Sequence, residues 1–129
     1  MNFTMNKRAK FALLAGVSFA LFAVVLGAFG AHGLKQILDE YHLAIFETAV
    51  KYQMYHGLGL VIIGLLAAKS ESKYFEYSIY LMSLGIIFFS GSLYLLAIFD
   101  FKFLGAVTPV GGVFFIMAWI SCFVGVLKS

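Results

Sequence analysis

The chain has 129 residues, of which 63% are hydrophobic, 18% aromatic and only 12% charged, and its mean hydropathy is +0.99. A soluble globular domain carries roughly a quarter charged residues and about half apolar ones, so this composition excludes one and points to a bilayer. The formal charge of +3 does not point to nucleic acid, because Lys7, Arg8 and Lys10 sit together ahead of the first apolar run, where they read as a topology signal at an anionic lipid surface.

Phe11 to Ala31 carries no charge and at 1.5 Å per residue spans about 31 Å, the thickness of a hydrocarbon core. It is the predicted first transmembrane helix, too long for a signal-peptide h-region. From Leu34 to Ile45 the apolar residues Leu34, Ile37, Leu38, Tyr41 and Ile45 recur at helical spacing, with Lys35, Gln36, Asp39 and Glu40 on the other side. This pattern predicts an amphipathic helix over about 34–45, lying in the membrane interface. A second span over about 48–68 ends where Lys69, Glu71, Lys73 and Glu76 begin a polar turn, and a third over 77–99 closes at Asp100. The fourth runs over 108–127. Thr108 is read as its N-cap and Pro109 as its first helical residue, a position that tolerates the missing N–H.

The expected architecture is therefore an all-α membrane protein, one domain of four transmembrane helices in a compact bundle, with an interfacial helix between the first two. If the N-terminus is inside, six basic residues (Lys7, Arg8, Lys10, Lys69, Lys73, Lys128) lie in cytoplasmic segments and three (Lys35, Lys51, Lys102) outside. That bias predicts both termini in the cytoplasm. Small residues at four-residue steps, such as Gly16 and Ala20 or Gly64 and Ala68, predict close helix packing.

Depth arithmetic brings out two polar groups. Counted from Ala68, Tyr77 and Thr108, the residues Gln53, His56, Ser90, Ser92 and Trp119 come out within about 16–22 Å of their helix ends, near the midplane of a 30 Å core. The Trp119 indole is expected to donate to a member of this layer. A second group gathers at the outer edge: His32, Glu47, Lys51, Asp100 and Thr108, with Gly111 and Gly112 in the first turn of the fourth helix. Either group could be a site or a structural layer. His32, His42 and His56 are spaced too widely for a metal motif, the lone Cys122 has no partner, and no metal site, cofactor or catalytic set is expected.

The segments Gly27-Ala28-Phe29-Gly30-Ala31-His32-Gly33-Leu34, Glu47-Thr48-Ala49-Val50-Lys51-Tyr52-Gln53-Met54-Tyr55-His56-Gly57, Ser90-Gly91-Ser92-Leu93-Tyr94 and Thr108-Pro109-Val110-Gly111-Gly112 together resemble the domain-of-unknown-function 423 family. These are small multi-pass membrane proteins of bacteria, to which vertebrate transmembrane protein 256 is similar. The resemblance covers nearly the whole chain and implies a plasma (inner) membrane protein of this size. It implies no catalytic role.

Three functional classes stay open. The sequence favours a non-enzymatic accessory or assembly factor of a membrane complex, on its small size and many small-residue faces. A small transporter or binder of lipid or hydrophobic solute is the alternative, although the first helix lacks the embedded carboxylate of small multidrug transporters. A quinone- or redox-associated subunit or a membrane enzyme is the third. The expected partners are membrane lipids and either another membrane protein or a second copy of the chain.

Overall fold

The computed structural model describes residues 5–129. Its helices are α1 (Lys7–His32), α2 (Glu40–Lys69), α3 (Lys73–Gly85), α4 (Gly91–Phe99) and α5 (Thr108–Leu127), with 3-10 turns at Leu34–Gln36 and Lys102–Ala106 and a π-helical turn at Ile86–Ser90 joining α3 to α4. Because α3, the π turn and α4 form one continuous rod, the described residues hold four helices long and apolar enough to cross a membrane.

Local chemistry sets the helix starts. The Asn6 side-chain oxygen accepts from the Ala9 amide at 2.8 Å, while its amide nitrogen reaches across to the Ala67 carbonyl at 3.1 Å. Asp39 caps α2 through the His42 amide at 2.7 Å, as an N-cap carboxylate should. At the end of α4, Asp100 adopts a left-handed conformation (φ 56°) and its amide still reaches the Leu96 carbonyl, a stop that Asp tolerates better than bulkier residues.

Asp39 explains one correction to the sequence reading. No separate interfacial helix occupies residues 34–45: a single 3-10 turn follows α1, and α2 begins at Glu40. The amphipathic spacing over Tyr41–Ile45 is real but belongs to the first turns of α2. That helix has 30 residues, about 45 Å, and with Ala68 at one membrane edge its first two turns project beyond a core of about 30 Å. Thr108 is a second correction. Val107 occupies the N-cap position, and the Thr108 hydroxyl contacts the Ser92 hydroxyl at 2.6 Å and the Leu104 carbonyl at 3.2 Å.

Packing joins α1 to α2, α2 to the third span and the third span to α5, and the Phe115 and Trp119 side chains of α5 also reach His56 and Gly59 of α2. Arg8 donates to the carbonyls of Ser72, at 2.8 Å, and Ser70, and the Lys128 ammonium stands 5.3 Å from the Tyr74 ring centroid. The start of α1, the α2–α3 turn and the end of α5 therefore share one end of the bundle. At the other end, His42 meets Asp100. The larger apolar core runs between these ends, built on Leu60, Ile63, Phe75, Ile79, Met82 and Phe115.

Candidate functional site

The residues read as a midplane layer separate along the bundle axis. Gln53 is buried between helices, donating to the Phe19 carbonyl of α1 at 2.8 Å and accepting from the Tyr94 hydroxyl of α4 at 2.6 Å. Ser90 donates to the Ala49 carbonyl at 2.8 Å, one helical turn beyond Gln53 on α2. Ser92, bonded to Thr108 at the first residue of α5, lies near the end of the bundle and not at its middle. The offset has a simple cause. The third span starts at Lys73, one turn before Tyr77, so depths counted from Tyr77 place both serines about 6 Å too far in. The π turn adds its own change of register, because a wider turn rotates everything after it relative to an uninterrupted α-helix.

His56 is 6% exposed and donates from Nδ1 to the Tyr52 carbonyl at 2.7 Å, one turn back on its own helix. Its ring stacks on Phe115 with centroids 3.5 Å apart and planes 10° off parallel. The Tyr52 ring lies beside the imidazole, near-parallel to it, with centroids 5.9 Å apart and planes 16° off, and 6.3 Å from the Phe115 centroid. The imidazole is thus a flat filler between α2 and α5.

Trp119 corrects the sequence reading directly. It is 41% exposed, its ring edge packs against Gly59, and its ring centroid is 5.9 Å from that of His56. Among the described residues the indole N–H has no hydrogen-bond acceptor. Phe115, Ala118 and Cys122 take the buried face of α5, which turns Trp119 onto its flank.

The outer group divides into three places. Glu47 and Lys51 line a cleft of about 150 Å³ with Gly27, Gly30, Ala31, Phe46 and Val50, between α1 and α2. They make no ion pair with each other, since ion pairs among the described residues are confined to His42. His32 ends α1, exposed to the surroundings. Thr108 belongs with Ser92, and Gly111 packs so tightly on Phe89 that a Cβ would stand 2.3 Å from the Phe89 nitrogen. Gly112 only borders that contact, 3.9 Å from the Phe89 ring. The Val110 and Gly111 amides of this first turn donate to the Val107 carbonyl, at 3.0 and 3.4 Å, and so are already occupied.

Asp100 instead joins residues that the sequence did not single out as a cluster. The His42 imidazole bridges two carboxylates, Asp39 at 2.7 Å from Nδ1 and Asp100 at 2.9 Å from Nε2. The two bonds to carboxylates raise the His42 pKa above the ordinary imidazole value, the Asp100 bond contributing most. The Asp39 carboxyl is held below its usual range, first by the backbone amide of His42 and then by its ring. With both ring nitrogens aimed at different carboxylates, the three side chains form a clamp. Among the described residues no group of three or more His, Cys, Asp and Glu has the geometry to hold a metal ion. The only sequence signal for this clamp is Asp39 three residues before His42 at a helix start. A contact spanning 58 positions to Asp100 leaves no trace in one sequence.

Residues 26–112 match the family model described as "Protein of unknown function (DUF423)", a stretch that holds the Gln53–Tyr94 and His42–Asp100 contacts. The chain belongs to this family. It is 46% identical over 116 residues to a UPF0382 membrane protein of Staphylococcus epidermidis, covering 90% of this chain and 94% of that one. It is 45% identical over 117 residues to the UPF0382 membrane protein YwdK of Bacillus subtilis, covering 90% and 95%. A UPF0382 membrane protein of Staphylococcus aureus is 44% identical over 119 residues, covering 92% and 97%. No solved structure matches significantly. The chain is a multi-pass membrane protein of a family found in bacteria.

Proposed function

We propose that the protein is a non-enzymatic accessory or assembly component of a membrane complex, with a different membrane protein seated against α1. The supporting observation is the asymmetry of that helix. Its buried positions, Ala9, Ala12, Gly16, Ala23 and Gly30, are all small and lie against α2. Leu14, Val17, Leu21, Val25 and Phe29 are each more than half exposed. In lipid, helices associate by close packing and not by escape from water, so a span with only one occupied face is available to a second protein. The polar side chains inside the bundle fit the same reading, because Gln53, Ser90, Ser92 and Tyr94 are bonded to neighbours within it.

The test is cross-linking in native membranes from single cysteines placed at Val17, Leu21 or Phe29 in a Cys122→Ala background. A discrete adduct with another protein, strongest on one helical face, is the expected result. Adducts of twice the chain's mass would mean a second copy of the chain, and no adduct at any position would mean a lipid-facing helix. Either outcome defeats the accessory reading.

A further inference from the structure

We propose that the groove between α3 and α5 is a binding site for one anionic phospholipid. This goes beyond the accessory reading and does not depend on it. The groove is open to the surroundings, has a volume of about 540 Å³ and is lined by Tyr74, Tyr77 and Tyr80 from α3 and by Met117, Ile120 and Val124 from α5, among others. Val124 lies seven positions beyond Met117 on α5, so the trough runs about 10 Å along the bundle axis from the end that carries the start of α1 and the end of α5. Its wall is apolar along this length, which suits the upper part of an acyl chain and offers nothing to a polar solute.

The mouth is chemically different from the wall, and it identifies the occupant. The Lys128 ammonium stands 5.3 Å from the centroid of the Tyr74 ring, so a cation is parked where the groove opens. At about 100° per residue, Lys73 falls about 40° from Tyr77 on the α3 surface, whereas Glu76 falls about 100° from it and outside the arc of the three tyrosines. Among the described residues, ion pairs are confined to His42 at the opposite end of the bundle, so neither lysine has a carboxylate partner. Tyr94 alone among the described tyrosines finds a protein partner for its hydroxyl, which leaves the hydroxyls of Tyr74, Tyr77 and Tyr80 as donors beside the trough. Two cations and the Tyr74 phenol at the mouth of an apolar trough complement a phosphate, its ester oxygens and a chain. A cation close to an anionic membrane surface also favours acidic lipid over zwitterionic lipid. The groove's base is held by the Ser121 hydroxyl, which donates to the Tyr74 carbonyl at 2.7 Å and ties α5 to α3.

The test is native mass spectrometry of the full chain in mild detergent with equal phosphatidylglycerol and phosphatidylcholine. One phosphatidylglycerol per chain should be retained, with about a tenfold preference over phosphatidylcholine. A Lys73→Gln, Lys128→Gln double variant should lose the preference and keep weak binding of both lipids. Ile120→Trp, which fills the trough, should lose retention of both, with helicity by circular dichroism unchanged. The proposal is overturned by equal retention of the two lipids in the unmodified protein, by a preference that survives in the double variant, or by retention that survives in folded Ile120→Trp. If Ile120→Trp does not fold, Val124→Phe provides the same steric test. None of these outcomes bears on cross-linking from α1.

Discussion

The two halves of the bundle use glycine for opposite purposes. Where α1 crosses α2, glycine brings backbone against backbone: a Cβ on Gly16 would stand 2.6 Å from the Gly57 carbonyl oxygen, and one on Gly57 would stand 3.1 Å from the Ala20 nitrogen. Where the third span meets α5, glycine makes room mostly for rings. Gly85 accommodates Phe115, and Gly125 accommodates Phe75, with ring atoms 2.4 and 2.8 Å from the imagined Cβ. A ring can swing or slide by a few tenths of an ångström, but a helical carbonyl cannot move without its helix. Gly30 on α1, whose Cβ would stand 2.8 Å from the Phe46 ring, belongs with the ring contacts, so glycine is indispensable where it meets backbone and merely economical where it meets a ring.

Alanine substitutions separate these cases, and the largest effect is expected at Gly16. Gly16→Ala should destabilise by about 3 kcal/mol, at the upper end of overpacking costs, whereas Gly125→Ala should cost about 1 kcal/mol. Gly111→Ala sharpens the comparison, because it lies in the ring-packed half yet meets the Phe89 backbone at 2.3 and 2.7 Å. It should behave like Gly16→Ala. Gly91→Ala, with open space around the new methyl, is the control. Thermal unfolding in detergent measures all four, and equal losses at Gly16 and Gly125 would show that backbone contact is not the distinction.

The first, third and fourth spans were legible because a charge-free run of about 20 residues has one outcome in a bilayer, whereas the second, which includes Lys51, was legible chiefly from its sharp polar end after Ala68. The small-residue steps on α1 likewise foretold a close helix contact, and Gly16 provides it. Depth was less legible. A count from a helix end inherits any error in that end, and the one-turn error at Tyr77 carried Ser90 and Ser92 away from their true partners, Ala49 and Thr108. The π turn is invisible to periodicity, since Ile86–Ser90 reads as an ordinary apolar stretch. Trp119 misled for another reason: depth says how far into the membrane a residue lies, not which way it faces. The His42 clamp was missed because Asp100 comes from a stretch 58 positions away from His42.

Hydrogen bonds join the two halves where glycines do not. The connection from the Phe19 carbonyl through Gln53 to Tyr94 links α1, α2 and α4. Tyr94→Phe leaves the Gln53 oxygen without its donor and should cost about 1 kcal/mol, within the range of interhelical hydrogen bonds in membranes. Gln53→Leu should cost about the same, and the double variant clearly less than the sum, because both changes break one connection. Additive losses in unfolding experiments would mean that the two residues act independently.

The smallest effect is expected at the His42 clamp, which ties the start of α2 to the end of α4 outside the hydrocarbon core, and its signature is pH dependence. The folded-state pKa of His42 is raised, so its contribution is fully present below the unfolded imidazole value of about 6.5 and is lost as pH rises through the raised value. The pKa of Asp39 is lowered, so its share is present above an unfolded value of about 3.9 and is lost as pH falls through the depressed value. Between these limits a positive imidazole lies between two carboxylates, and the clamp is strongest. The difference in melting temperature between the unmodified protein and His42→Gln should therefore be widest from about pH 4 to 6.5 and should narrow above that window. Glutamine can hold one of the two contacts without charge, which makes the variant a test of the charge and not of the packing. A difference that stays constant from pH 4 to 9, or that grows as the solution becomes alkaline, would show that the two halves are not joined there by a protonated histidine.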